Sequence, residues 1–145
     1  MIPLLDVNVL VAIAWPNHIR HQAARSWFLA THGEGWATTP ATQSGFVRVS
    51  SNRGAIPDAR SPTEAIVLLR DLTATAGHRF WDDAVAMTDD TRVAANRLVG
   101  HRQVTDAHLV AVAISHDGFL ATFDRGVMEV VPEAFCGQGR VMVLR

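Results

Sequence analysis

The stretch Val104-Thr105-Asp106-Ala107-His108-Leu109-Val110-Ala111-Val112-Ala113-Ile114, followed by Asp117-Gly118 and Phe119-Leu120-Ala121-Thr122-Phe123-Asp124, decides the fold. Thr105 and Asp106 open an apolar helix that Gly118 closes. Phe119 to Phe123 reads as a short strand that ends on an acid. A helix from Thr105 to His116 is about 18 Å long, and the strand covers about 20 Å. The chain descends one and climbs the other, which returns Asp124 to the level of Asp106. Ile2 to Leu5 is a second apolar run ending on an acid, Asp6, and reads as a buried parallel strand. If the two strands lie side by side, Asp6, Asp106 and Asp124 converge at the carboxyl edge of a sheet, where open parallel sheets place their ligand sites.

Outward from this pair, short apolar runs alternate with amphipathic stretches, the pattern of an α/β layer fold in one domain spanning residues 1–145. Val9 to Trp15 reads as a buried helix stopped by Pro16, and His18 to Thr31 as an amphipathic one. Trp36-Ala37-Thr38 reads as a strand, and Pro40 stands where a helix over Ala41 to Ser51 starts. Ser61-Pro62-Thr63-Glu64 combines an N-cap, a first-turn proline and an acid three residues on, so a helix runs from there to about Ala76, ended by Gly77. Phe80-Trp81 reads as a third strand. Asp89-Asp90 is expected to open a helix reaching Gly100, and Val141 to Leu144 forms an edge strand.

The composition narrows the chemistry. With 145 residues, 48% of them hydrophobic and 19% charged, roughly two-thirds of the unfolded chain's surface can be buried without cross-links. Cys136 is the only cysteine, which excludes an intrachain disulfide and fits a reduced, cytoplasmic compartment. No apolar run reaches a membrane span, and the first residues lack the basic start of a signal peptide. All 13 basic residues are Arg. Without lysine, P-loop and Schiff-base mechanisms are excluded, and the aspartyl-phosphate chemistry that Asp6 after a strand brings to mind lacks its usual helper. A net charge of −1 means that any nucleic-acid contact uses local Arg clusters or metal ions.

Three nearby carboxylates cannot all stay ionised unless positive charge lies between them. An oxygen-only set suits Mg²⁺ or Mn²⁺, and such an ion fits phosphodiester hydrolysis. Taken singly, each acid has a plainer explanation. Asp106 stands in the first turn of a helix, and Asp124 precedes a turn at Arg125-Gly126. Asn8 either orients Asp6 or caps a helix. Thr105 caps its helix, with a contact to a carboxylate as a second role. Thr122 reads as an ordinary strand residue. Asp82-Asp83 and Asp89-Asp90 read as turn and helix-start acids. The seven histidines show no zinc spacing.

Leu4-Leu5-Asp6-Val7-Asn8-Val9-Leu10 resembles the opening motif of PIN-domain ribonucleases. Val104-Thr105-Asp106-Ala107-His108-Leu109 is similar to their third acidic motif, and Leu120-Ala121-Thr122-Phe123-Asp124-Arg125 to their last. Thr39-Pro40-Ala41-Thr42-Gln43-Ser44-Gly45-Phe46-Val47-Arg48-Val49 is similar to the VapC toxins among them. The resemblance covers nearly the whole chain. It implies a three-layer α/β/α sandwich with a mainly parallel sheet and an endoribonuclease dependent on Mg²⁺ or Mn²⁺. It further implies a homodimer, a VapB-like antitoxin partner, and tRNA or ribosomal RNA as target.

One position departs from the family, which usually has Glu where this chain has Gln43. An amide can accept from a metal-bound water but brings no charge. Three readings stand open: a natural variant with altered metal demand, an introduced Glu→Gln change, or a toxin-like dimer that binds antitoxin or RNA without cutting. Arg48, a turn and a half beyond Gln43, and Arg102 and Arg125 are the candidate RNA contacts, as phosphate anchors that carry no sequence information.

Overall fold

The computed structural model describes all 145 residues. Five parallel strands form one sheet: β1 (Pro3–Leu5), β2 (Trp36–Thr38), β3 (His78–Phe80), β4 (Phe119–Thr122) and β5 (Val141–Val143), in the order β3-β2-β1-β4-β5. The expected neighbours do pair, with Leu4 opposite Leu120 and Leu5 opposite Ala121. Between β1 and β4 the strand order reverses, and the connections leave to opposite sides. Such a switch point opens a crevice at the strands' carboxyl ends.

Side-chain alternation along the central strands divides the core into two layers. Leu5, Trp36 and Ala121 face helices α1 (Val7–Ala14), α2 (His21–Thr31), α3 (Pro40–Ser50) and α4 (Pro62–Thr73), with Val9, Leu10, Phe28, Phe46 and Leu69 filling the space. Leu4, Ala37, Leu120 and Val141 face α5 (Val104–Ser115) together with Val127 and Val130 from the turns after β4. Helices on both faces of a parallel sheet make the α/β/α sandwich. No helix is long and apolar enough to cross a membrane.

Helix starts follow the capping chemistry. Ser61 Oγ accepts from the Glu64 N–H at 3.2 Å. Thr39 and Thr42 exchange reciprocal bonds, Thr42 N–H to Thr39 Oγ1 and Thr39 N–H to Thr42 Oγ1, so α3 begins at Pro40. Gly77 takes φ +84°, and a Cβ there would lie 2.1 Å from the His32 carbonyl. Gly118 lets β4 start beneath the Trp81 ring, since a Cβ would lie 2.6 Å from both that ring and the Ile2 carbonyl.

Several expectations are corrected. The helix expected from Asp89 to Gly100 is absent, and only a single 3₁₀ turn, Ala95–Arg97, forms there. Asp89 instead gathers the N–H groups of Thr91 and Arg92, the Thr91 hydroxyl and the Arg92 guanidinium into a tight turn. The residues buried in this segment, Val93 and Ala94, are sequence neighbours, which one helix face does not present together. The first helix starts at Val7 rather than Val9, because Asp6 caps it. The second starts at His21 rather than His18, because the Arg20 N–H turns back to His18 Nδ1 at 3.0 Å. β3 lies at His78–Phe80, with Trp81 just beyond it and stacked on His116. Thr105 does not cap α5: it is the helix's second residue, and no side-chain bond closes that end.

Candidate active site

Asp6 leaves β1 and immediately caps α1, its Oδ1 accepting from the Val7 N–H at 2.7 Å. Its other oxygen accepts from the Thr122 hydroxyl at 2.7 Å and from Asn8 Nδ2 at 3.2 Å. Asn8 also donates to Thr122 Oγ1 at 3.0 Å, and its Oδ1 accepts from the Phe123 N–H at 3.2 Å. Asn8 is thus no helix cap. It ties Asp6 to the end of β4, the first of the two roles open from sequence.

Thr122 is the residue that sequence reasoning passed over. It is fully buried, donates to Asp6, and accepts from the Asp124 N–H at 3.1 Å. One hydroxyl therefore links two of the three acids. The available signal was strand alternation, which puts residue 122 on the same face as 124. Asp124 is exposed, and its Oδ1 accepts from the Gly126 N–H at 2.8 Å.

Asp106 stands in the first turn of α5, half-buried and without a hydrogen-bond donor. Its pKa is pushed up to about 6, first by burial and then by the charges of Asp6 and Asp124. Asp6 is also raised, by burial foremost and by Asp124 last, against the lowering bonds from Thr122 and Val7. Asp6 and Asp124 are joined through Thr122 at the carboxyl ends of β1 and β4, and Asp106 stands in the first turn of α5, whose Thr105 and Leu109 border the Asp6 cavity. No three acidic, His or Cys side chains close into a ligand cage. Mg²⁺ needs none, since it keeps several waters and takes one or two carboxylates. The oxygen-only donors and the unneutralised charge at Asp106 fit a hard divalent cation.

Beside Asp6 opens a cavity of about 510 Å³, lined by Ala41, Ser44, Gly45 and Arg48 of α3 and by Thr105 and Leu109 of α5. Asp106 and Asp124 lie outside its wall. Arg48 thus lines the same cavity as Asp6. Arg102 lies exposed in the turn before α5, and Arg125 lies exposed directly after Asp124. Thr105 borders the cavity but makes no bond to a carboxylate.

Gln43 makes no hydrogen bond to any of the three acids. Its amide nitrogen donates to Thr38 Oγ1 at 3.0 Å, which meets His78 Nε2 at 2.8 Å. At 100° per residue Gln43 lies about 200° round α3 from Ala41, away from the cavity-lining face. The tempting acid pairs serve turns: Asp83 accepts from the Ala41 N–H at 3.2 Å at the start of α3, and Asp82 from the Ala84 N–H at 3.1 Å.

A family model described as PIN domain matches residues 4–133. Ribonuclease VapC39 of Mycobacterium tuberculosis is 45% identical over 129 residues, 89% of this chain and 93% of that protein. Ribonuclease VapC38 of the same organism is 47% identical over 130 residues, 90% of each chain. Among solved structures, VapC20 of M. tuberculosis, a Sarcin-Ricin loop cleaving toxin, aligns with a TM-score of 0.59 at 17% identity over 98% of both chains. VapBC2 from Rickettsia felis, bound to a DNA fragment from its promoter, aligns with a TM-score of 0.61 at 12% identity over 100% of both. These two share the fold. The extent of the sequence matches shows that the chain belongs to the VapC family of PIN-domain proteins.

Proposed function

We propose that the chain is an endoribonuclease toxin that hydrolyses RNA phosphodiester bonds with Mg²⁺ or Mn²⁺, held in check by a VapB-like antitoxin and acting as a homodimer. The observation that carries this reading is the Thr122 hydroxyl linking Asp6 to Asp124 at the β1/β4 switch point, with Asp106 in the first turn of α5 beside them. The names of its relatives support the reaction class, and the solved VapBC2 assembly supports an antitoxin partner.

Asp6, Asp106 and Asp124 would hold the ion, one or two of them directly and the rest through its waters. When bound, it supplies Lewis acidity toward a phosphate oxygen and lowers the pKa of a water. The chain's own part is orientation. Three donors, from Val7, Asn8 and Thr122, fix both Asp6 oxygens. Gly126 fixes one oxygen of Asp124 and Thr122 its backbone. Asp106 accepts no such bond and is left free to turn toward the ion or its waters. Arg48 faces the same cavity as Asp6 and is suited to a phosphate of the incoming strand.

Asp6→Asn keeps the capping oxygen while removing the charge. It is expected to abolish RNA cleavage and growth arrest without altering the circular dichroism spectrum, and full activity in that variant removes the proposal. The alternative, binding without cleavage, rested on Gln43. Because that amide is engaged with Thr38, Gln43→Glu is expected to leave the Mn²⁺ demand of cleavage unchanged. A variant that cuts where the parent chain does not favours the alternative.

A further inference from the structure

Arg20 has no acidic partner and makes no side-chain hydrogen bond. Its guanidinium carbon instead stands 4.8 Å from the centre of the Phe123 ring. An exposed guanidinium held over an aromatic face keeps its N–H edges free for a planar or phosphate acceptor. Phe123 is not a free ring. Its N–H is fixed by Asn8, the side chain that also holds Asp6, and it lies between Thr122 and Asp124. Arg20 is therefore indexed to the acids through their own supports.

A cleft of about 620 Å³ opens along the start of α2, lined by His18, Ile19, His21, Gln22, Arg25 and Ser26, with no acidic residue in its wall and with Arg20 outside it. Arg25 is the charged side chain of that wall, and His18, which burial keeps neutral, also lines a neighbouring pocket with Asp58. Neither Arg20 nor Arg25 is engaged in an ion pair, so both guanidinium groups are free to meet an anion.

We infer that Arg20, braced by Phe123, is a backbone-phosphate contact for a single RNA strand running from the acids toward the cleft at the start of α2. This rests on the nuclease reading and deepens it: the strand is gripped on the β4 side by Arg20 and enters on the α3 side past Arg48. The Arg20 contact reads no sequence. An acidic peptide is the rival occupant, disfavoured because the seat adjoins the candidate hydrolytic acids.

The test is fluorescence anisotropy with a labelled 12-nucleotide single-stranded RNA of mixed sequence, in EDTA so that binding is read without hydrolysis. Arg20→Ala is expected to weaken binding about 5- to 10-fold and to flatten the slope of log K against log salt by about 0.7, one phosphate's worth on a single strand. Arg20→Lys is expected to keep the slope and lose about 2- to 3-fold, because charge remains and the braced plane does not. Phe123→Leu should behave like Arg20→Lys. Melting curves matching the parent chain exclude unfolding as the cause. Unchanged affinity and slope in Arg20→Ala overturn the proposal and leave Arg20 as a cover for the ring. Poly-glutamate binding that responds to Arg20→Ala while RNA binding does not overturns it in favour of a peptide. RNA binding that depends on Arg20, in a chain that cuts no RNA in Mn²⁺, supports the seat and removes only the nuclease reading.

Discussion

Asp106 is a carboxyl group with no donor, beside two other acids, and its protons are held more tightly folded than unfolded. Between about pH 4 and pH 6 the folded chain then binds more protons than the unfolded one, so stability falls as pH rises through that window. A shift of two units is about 2.7 kcal/mol at face value, and screening at a half-exposed group reduces it to about 1 kcal/mol. Asp106→Asn is therefore expected to stabilise the metal-free protein by about 1 kcal/mol at pH 7 and not at pH 4, as read by urea unfolding in EDTA. Thr122 carries the opposite kind of prediction. Thr122→Val leaves Asp6 and the Asp124 N–H short of a partner in a dry place, which costs about 1–3 kcal/mol. Mn²⁺-dependent cleavage should fall at least tenfold, and Thr122→Ser should restore most of both.

Among the elements, α1 and α3 meet at Gly45, where a Cβ would stand 2.5 Å from Val7 Cγ2. Valine in a helix has essentially one rotamer, so it cannot step aside. Gly45→Ala should destabilise the protein by about 1–3 kcal/mol and shift the wall of the Asp6 cavity, and Val7→Ala in the same chain should recover most of the loss, which a double-mutant cycle measures. The elements themselves were largely legible. Apolar runs ending on Asp6 and Asp124, the Ser61 cap and Pro40 announced their strands and helices through local chemistry. What failed was also local in cause. The 89–100 segment has helix-like composition, but the Asp89 side chain competes for the backbone N–H groups that would start the helix. Convergence of the acids could be reasoned from strand and helix lengths. The linking role of Thr122 could not, because its partner Asp6 lies 116 positions away, and the bond from Gln43 to Thr38 could not, because it is a side-chain choice that no spacing announces.

For the whole molecule, the sheet order puts carboxylates from both ends of the chain at one crevice. A cation that binds only the folded arrangement stabilises it by mass action, about 2.7 kcal/mol at one hundred times its dissociation constant. Mn²⁺ should raise the melting temperature of the parent chain by several degrees. Asp6→Asn and Asp124→Asn should lose most of that rise, whereas a variant far from the crevice, such as Glu64→Gln on α4, should keep it. An equal rise in all of them would mean that the ion binds elsewhere.

The Thr122–Asp6 hydrogen bond joins residues 116 positions apart, and this separation has a bearing on how the chain is born. While a ribosome is still synthesising it, Asp6 emerges early and waits without its β4 neighbour. A polypeptide stalled before position 122 lacks the hydroxyl that holds Asp6, and one stalled before 124 lacks an acid as well. On the proposed reading, a nascent chain acquires the capacity to cut RNA only once residues 122 to 124 have joined Asp6.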